Sequence, residues 1–237
     1  MKQHFSGEEK VGAIVSDFPG ASNLFKEVRI DFCCGGDRSL LEVIRQKNLN
    51  EREILHRLNE SYAEMQNKNE NRGTDWRAEP TADLIDHVVD QHHRFLRKEL
   101  PLLSEFVTKI ARVHGDAHSE LADLYHLFHQ MKSELEQHLV TEEEVLFPLL
   151  KQYALHPTTE LHEQAVMGLH ELETDHSSVG DCLKEMRAIT NEYALPSDAC
   201  RTYMITFHKL GELESDLFQH IHLENNILFP RIEEQVV

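Results

Sequence analysis

SELEQHLVTEEEVLFP, residues 133–148, and SDLFQHIHLENNILFP, residues 215–230, are two copies of one pattern. Aligned without gaps they agree at eight of sixteen positions, the Ser, Leu, Gln, His, Glu, Leu, Phe and Pro. Each copy sets a histidine four residues before a glutamate: His138 and Glu142, then His220 and Glu224. On a helix that step turns about 40° and rises about 6 Å, so imidazole and carboxylate share one face. Such a pair can grip one metal ion or two neighbouring ions. Apolar residues surround it at three- and four-residue steps, Leu135, Leu139 and Leu146 in one copy and Leu217, Ile221 and Leu228 in the other. That period puts His and Glu on the buried face of each helix. A buried carboxylate is costly unless it is paired or bound to metal.

The repeat is wider than the two quoted stretches. His176 stands in the apolar stripe of a further helix, among Leu169, Leu172, Val179 and Leu183. It precedes His220 by 44 residues, and His93 precedes His138 by 45. Each half then reads as a helical hairpin with His on its first helix and HxxxE on its second. On the first helix the stripe accepts His92 as well as His93, and the spacing only mildly prefers His93. From Thr81 onward four long helices are expected, over about 81–112, 117–153, 158–192 and 198–232, with breaks at His156-Pro157 and Pro196. Short connections between them favour an up-down-up-down four-helix bundle.

Composition bounds the function. The chain has 237 residues, a net charge of −18 and a mean hydropathy of −0.48. Such acidity repels a phosphate backbone or an anionic membrane surface, so no nucleic-acid or membrane partner is expected. No apolar run approaches the roughly 20 residues of a membrane span. The start MKQHFSGEEK lacks the apolar core of a signal peptide, so a cytoplasmic location is expected. Residues 1–70 read as a small helical domain around the turn Asp31-Phe-Cys-Cys-Gly-Gly-Asp37, with Asn50 capping its last helix. Residues 66–80, rich in Asn, charge and Gly, form the boundary, where Trp76 is placed to dock. Residues 80–237 form the bundle. The fold class is therefore all-α.

Four histidines and two glutamates from four helices exceed what one zinc ion takes. They suit two ions, and mixed imidazole and carboxylate sites inside bundles commonly hold non-haem iron. If both glutamates bridge, each iron receives two nitrogens and two oxygens. An oxo or hydroxo bridge adds a fifth ligand and leaves room for O₂, NO or peroxide, or for release of iron. A ferritin-like alternative would use Asp90 and Glu173 as ligands; the preferred reading makes them partners of the histidine rings.

A single HxxxE is weak evidence, because surface pairs at that spacing are common. The duplicated context, with a histidine on each remaining helix, carries the assignment. The other histidines read as surface or ordinary structural residues. His222 lies about 200° around the helix from His220, so the two cannot face one centre. His114 is a weak candidate. Cys33 and Cys34 are either plain thiols in a turn or a redox or metal-transfer pair, since a thiol near a helix N-terminus is activated. Cys182 and Cys200 read as packing residues.

The constellation of His93, His138, Glu142, His176, His220 and Glu224 resembles a hemerythrin-like di-iron bundle, without the additional histidine of the oxygen carriers. Nearly the whole chain resembles the repair-of-iron-centres family (the YtfE/ScdA/DnrN group). The stretches that carry the resemblance are DFCCGGDRSL at 31–40, DWRAEPTADLIDHVV at 75–89, RKELP at 97–101 and HLENNILFP at 222–230. It implies His93 rather than His92 as ligand, bridging roles for Glu142 and Glu224, and a functional pair at Cys33 and Cys34. It further implies that two non-haem irons serve to restore iron–sulfur clusters damaged by oxidative or nitrosative stress, by iron donation to the damaged proteins. The same ligand set also permits reduction of NO to N₂O, or passive sensing of O₂ or NO, in a monomer or homodimer.

Overall fold

The computed structural model describes residues 4–68 and 74–234. Residues 69–73 of the expected boundary, and the ends 1–3 and 235–237, lie outside them. Among the described residues all regular elements are helices. The described residues divide into two compact units, one of residues 85–220 and one of those within 4–84 together with 221–234.

In the larger unit, α6 (Arg94–His114) and α7 (Glu120–Thr141) pack side by side across a five-residue turn. Five residues span at most about 18 Å, less than the roughly 31 Å length of α6, so the two helices run antiparallel. Helix α8 (Phe147–Leu155) continues α7, and α9 (Thr159–Ile189) returns along both. Thr158 caps α9, its Oγ1 accepting from the Leu161 N–H at 3.2 Å. The long α10 (Arg201–Leu223) completes the set. It is tied to α6 by Lys209–Glu99 and to α9 by Arg187–Glu214, each 2.6 Å. The four long helices expected from the apolar period are thus present. Helix α6 runs unbroken through Pro101.

Three π-helical turns interrupt these helices: Val88–His93 between α5 (Thr81–His87) and α6, Glu142–Leu146 between α7 and α8, and Glu224–Leu228 between α10 and α11 (Phe229–Glu233). In the last two, the N–H of the Phe in Leu-Phe-Pro donates to the glutamate carbonyl five residues back, Phe147 to Glu142 and Phe229 to Glu224. In sequence the Leu-Phe-Pro tail of each copy reads as packing with a proline bend; the structure adds a whole wide turn. Pro lacks an N–H and its ring crowds the carbonyl four residues back, so the wider turn absorbs what a regular α turn would not.

In the smaller unit α1 (Val11–Asp17), α2 (Ala21–Glu27), α3 (Leu40–Gln46) and α4 (Glu51–Lys68) bury Val11, Ile14, Phe25, Phe32, Leu40 and Leu58. Asn50 Oδ1 accepts from the Glu53 N–H at 3.2 Å, as its sequence position requires. The boundary is held through its backbone: Arg231 donates to the carbonyls of Trp76 and Glu79 at 2.6 and 2.8 Å.

Candidate metal centre

Each helix brings its histidine to the cluster by register. His93 ends the first π turn, His138 is in the last turn of α7, His176 is mid-way along α9 and His220 is near the end of α10. The glutamates open the second and third π turns. All six side chains are 0–4 % exposed, so charge on them cannot be screened by water. His93 Nε2 faces His220 Nε2 at 3.2 Å, and His138 Nε2 faces His176 Nε2 at 3.1 Å. Glu142 reaches both pairs: its Oε2 is 3.2 Å from His93 Nε2 and its Oε1 3.2 Å from His138 Nε2. His93, Glu142, His220 and Glu224 form one group with ligand atoms within 4.8 Å of one another. His138, Glu142, His176 and Glu224 form the other, so both glutamates are shared.

The outer ring nitrogens decide which atoms face inward. His93 Nδ1 donates to Glu143 at 2.6 Å, and His138 Nδ1 to Asp175 at 3.2 Å. Glu143 also takes Arg97 Nη1 at 2.9 Å; burial opposes its charge, but the hydrogen bonds from Arg97 and His93 hold its carboxyl below the ordinary range. With Nδ1 protonated, Nε2 of His93 and His138 presents a lone pair. Lone pairs of nitrogen then point at carboxylate oxygens in a space closed to bulk solvent. A cation between them removes that repulsion, and donors at about 2.0–2.1 Å from an ion stand about 3 Å apart. The residues present fit a pair of metal ions.

Several expectations are corrected here. The carboxylates that meet the rings of His93 and His138 are Glu143 and Asp175, and neither Asp90 nor Glu173 meets a ligand histidine. Asp90 is drawn to Arg94 at 2.6 Å on the exposed side, and Glu173 faces His170 at 3.4 Å. Those two carboxylates are engaged by residues of their own helices, whereas Glu143 and Asp175 reach the rings of His93 and His138 from other parts of the chain. His92 is buried but turned aside: its Nδ1 meets Asp216 at 3.0 Å and its ring stacks on His220. His93 is the histidine of that pair that reaches the cluster.

Cys33 and Cys34 set their sulfurs 3.8 Å apart. Asp31 Oδ1 organises their turn, accepting from the N–H groups of Cys33, Cys34 and Gly35 at 3.1–3.2 Å. Burial, then Cys34 and Asp31, push the Cys33 thiol well above its usual value, opposite to activation. Cys200 is not a packing residue. It is exposed, its Sγ lies 3.2 Å from His114 Nε2, and backbone N–H bonding with His114 lowers its thiol to about 7.

Comparison with known proteins agrees with this geometry. The hemerythrin HHE cation-binding domain model matches residues 84–232, and ScdA_N, a domain of unknown function, matches residues 7–62. A probable iron-sulfur cluster repair protein of Haemophilus influenzae is 35% identical over 227 residues, 95% of this chain and 96% of its own. The chain belongs to the iron–sulfur cluster repair family. Other members show the same extent of likeness. The iron-sulfur cluster repair protein YtfE of Escherichia coli is 34% identical, covering 94% and 96% of the two chains. ScdA of Staphylococcus haemolyticus is 32% identical, covering 94% and 97%. As in this family, the bundle is a cation-binding hemerythrin-like domain, and its two buried His/Glu groups fit a binuclear metal centre. Among the described residues no helix is long and apolar enough to cross a membrane.

Proposed function

We propose that the protein holds two non-haem iron ions through His93, His138, Glu142, His176, His220 and Glu224 and uses them to repair iron–sulfur clusters damaged by oxidative or nitrosative stress. The single observation that carries this is the reach of Glu142, one oxygen toward each facing histidine pair. Imidazole with carboxylate suits iron, and the family's repair activity supplies the task. The recipients are damaged iron–sulfur proteins, met in the cytoplasm. Iron is here the cargo as well as the resident ion: four protein donors per ion leave it short of six, and an under-coordinated ion exchanges more readily. Residues 80–237 make the iron-holding domain, and residues 1–70, with Cys33 and Cys34, a smaller domain beside it in sequence.

Iron-loaded protein mixed with an apo-cluster acceptor and sulfide should restore the acceptor's cluster absorption while its own iron falls from two per chain. Glu142→Ala should bind less than half the iron and restore none. Iron that stays in place while damaged clusters recover no faster would sink the donation reading. Formation of N₂O by the reduced protein would favour an NO-reducing enzyme instead.

A further inference from the structure

The two copies of the ligand repeat differ where they face away from the metal. Val140 and Glu144 of the first copy stand where the second has His222 and Asn226. Val140 and Glu144 are exposed. His222 is buried and Asn226 partly so, and both meet the N-terminal helices. His222 Nδ1 donates to the Phe32 carbonyl at 3.3 Å, and Asn226 Nδ2 donates to the Cys33 carbonyl at 3.0 Å. Asn226 Oδ1 presses against Gly12 and Gly36, where a Cβ on either would overlap it. Those glycines are themselves joined, Gly12 N–H to the Gly36 carbonyl at 2.8 Å. Glycine is needed at both places because only a bare backbone leaves room for the amide.

We infer that the module of residues 7–62, whose role is unassigned, is a seat for the π turn that presents Glu224, with Asn226 as the positioning residue. The cysteine-glycine turn supplies carbonyls on one side of Asn226 and two bare α-carbons on the other. Asn226 lies two residues after Glu224 in the same wide turn, so fixing its amide fixes the direction of the Glu224 carboxylate. In the first copy the matching residues, Val140 and Glu144, are exposed instead. This inference rests on the ligand role proposed for Glu224.

The test uses full-length, iron-loaded protein and reads bound iron per chain and its release to a ferrous chelator. Supports that orient metal ligands are worth about 10–100-fold in affinity. Asn226→Ala and Gly12→Ala should each weaken iron binding by that order, and Asn226→Asp further, because it sets a negative charge against two carbonyls. Glu144→Ala, the matching change in the first copy, should leave binding unchanged. Asn226→Ala combined with Gly12→Ala should be no worse than the poorer single change, since a shorter side chain makes room for the new methyl. Asn226→Ala retaining iron as wild type does, while Glu224→Ala loses it, would overturn the seat. Glu224→Ala retaining both irons would overturn the ligand reading beneath it. Additive losses in the double variant would show general destabilisation and likewise overturn the seat.

Discussion

Cys200 and Cys33 carry the same thiol in opposite surroundings. At Cys200 the backbone N–H groups that open α10 and the His114 ring stabilise the thiolate, in contact with solvent. At Cys33 burial and the neighbouring Cys34 and Asp31 oppose ionisation. Alkylation by iodoacetamide should therefore reach Cys200 first, with a rate that rises through a midpoint of about 7. His114→Ala should move that midpoint upward, and mass spectrometry of the digested protein reads both. Cys33 should stay unmodified until the protein unfolds. Sequence position alone suggested the reverse order of interest, because the adjacent cysteines stood in a conspicuous turn. Burial and a histidine from 86 residues away reversed it.

At the scale of the element, the start of the helix after Asn50 was legible, while the cap at Thr158 and the wide turns were not. Asn50 and Thr158 cap their helices through short-range hydrogen bonds that depend on neighbouring residues only. Thr158→Ala should cost about 1 kcal/mol of stability and Thr158→Ser very little, measured as the shift in a urea denaturation midpoint. The π turns at Glu142 and Glu224 left one trace in the sequence, a proline at a fixed distance after each glutamate. Proline shows that the α pattern is disturbed there, but not whether the helix bends, breaks or widens. That choice depends on what both faces of the turn must meet, and those contacts come from distant parts of the chain.

At the scale of the molecule the larger unit is cross-tied by a buried ion pair, Arg187–Glu214, and a half-buried one, Lys209–Glu99. Arg187→Met leaves Glu214 charged and unpartnered by Arg187 in a dry setting and should cost about 3–5 kcal/mol, while adding Glu214→Leu should recover most of it. Thermal melts of the two variants check this. The second pair sets an acid limit. The hydrogen bond from Lys209, against the opposing effect of burial, holds the Glu99 carboxyl below the ordinary value of about 4.3. Its folded pKa is depressed, so its contribution is complete above the unfolded value and is lost as pH falls through the folded one. Melting temperature followed from pH 6 to 3 should decline less steeply in Glu99→Gln than in the wild type.

The sequence by itself determined the all-α class, the four long helices and five of the six residues that gather at the centre, leaving His92 and His93 open on the first helix. These follow from periodicity and from a repeat, both carried by near neighbours along the chain. Only the tertiary structure decided that Glu143 and Asp175 orient the histidine rings. The same holds for His92 meeting Asp216 and for Asn226 resting on Gly12 and Gly36. The physical reason is range. A helical face is set within a few residues, whereas the direction of a ring, a carboxylate or an amide is set by whichever atom of a remote element stands within 3 Å of it.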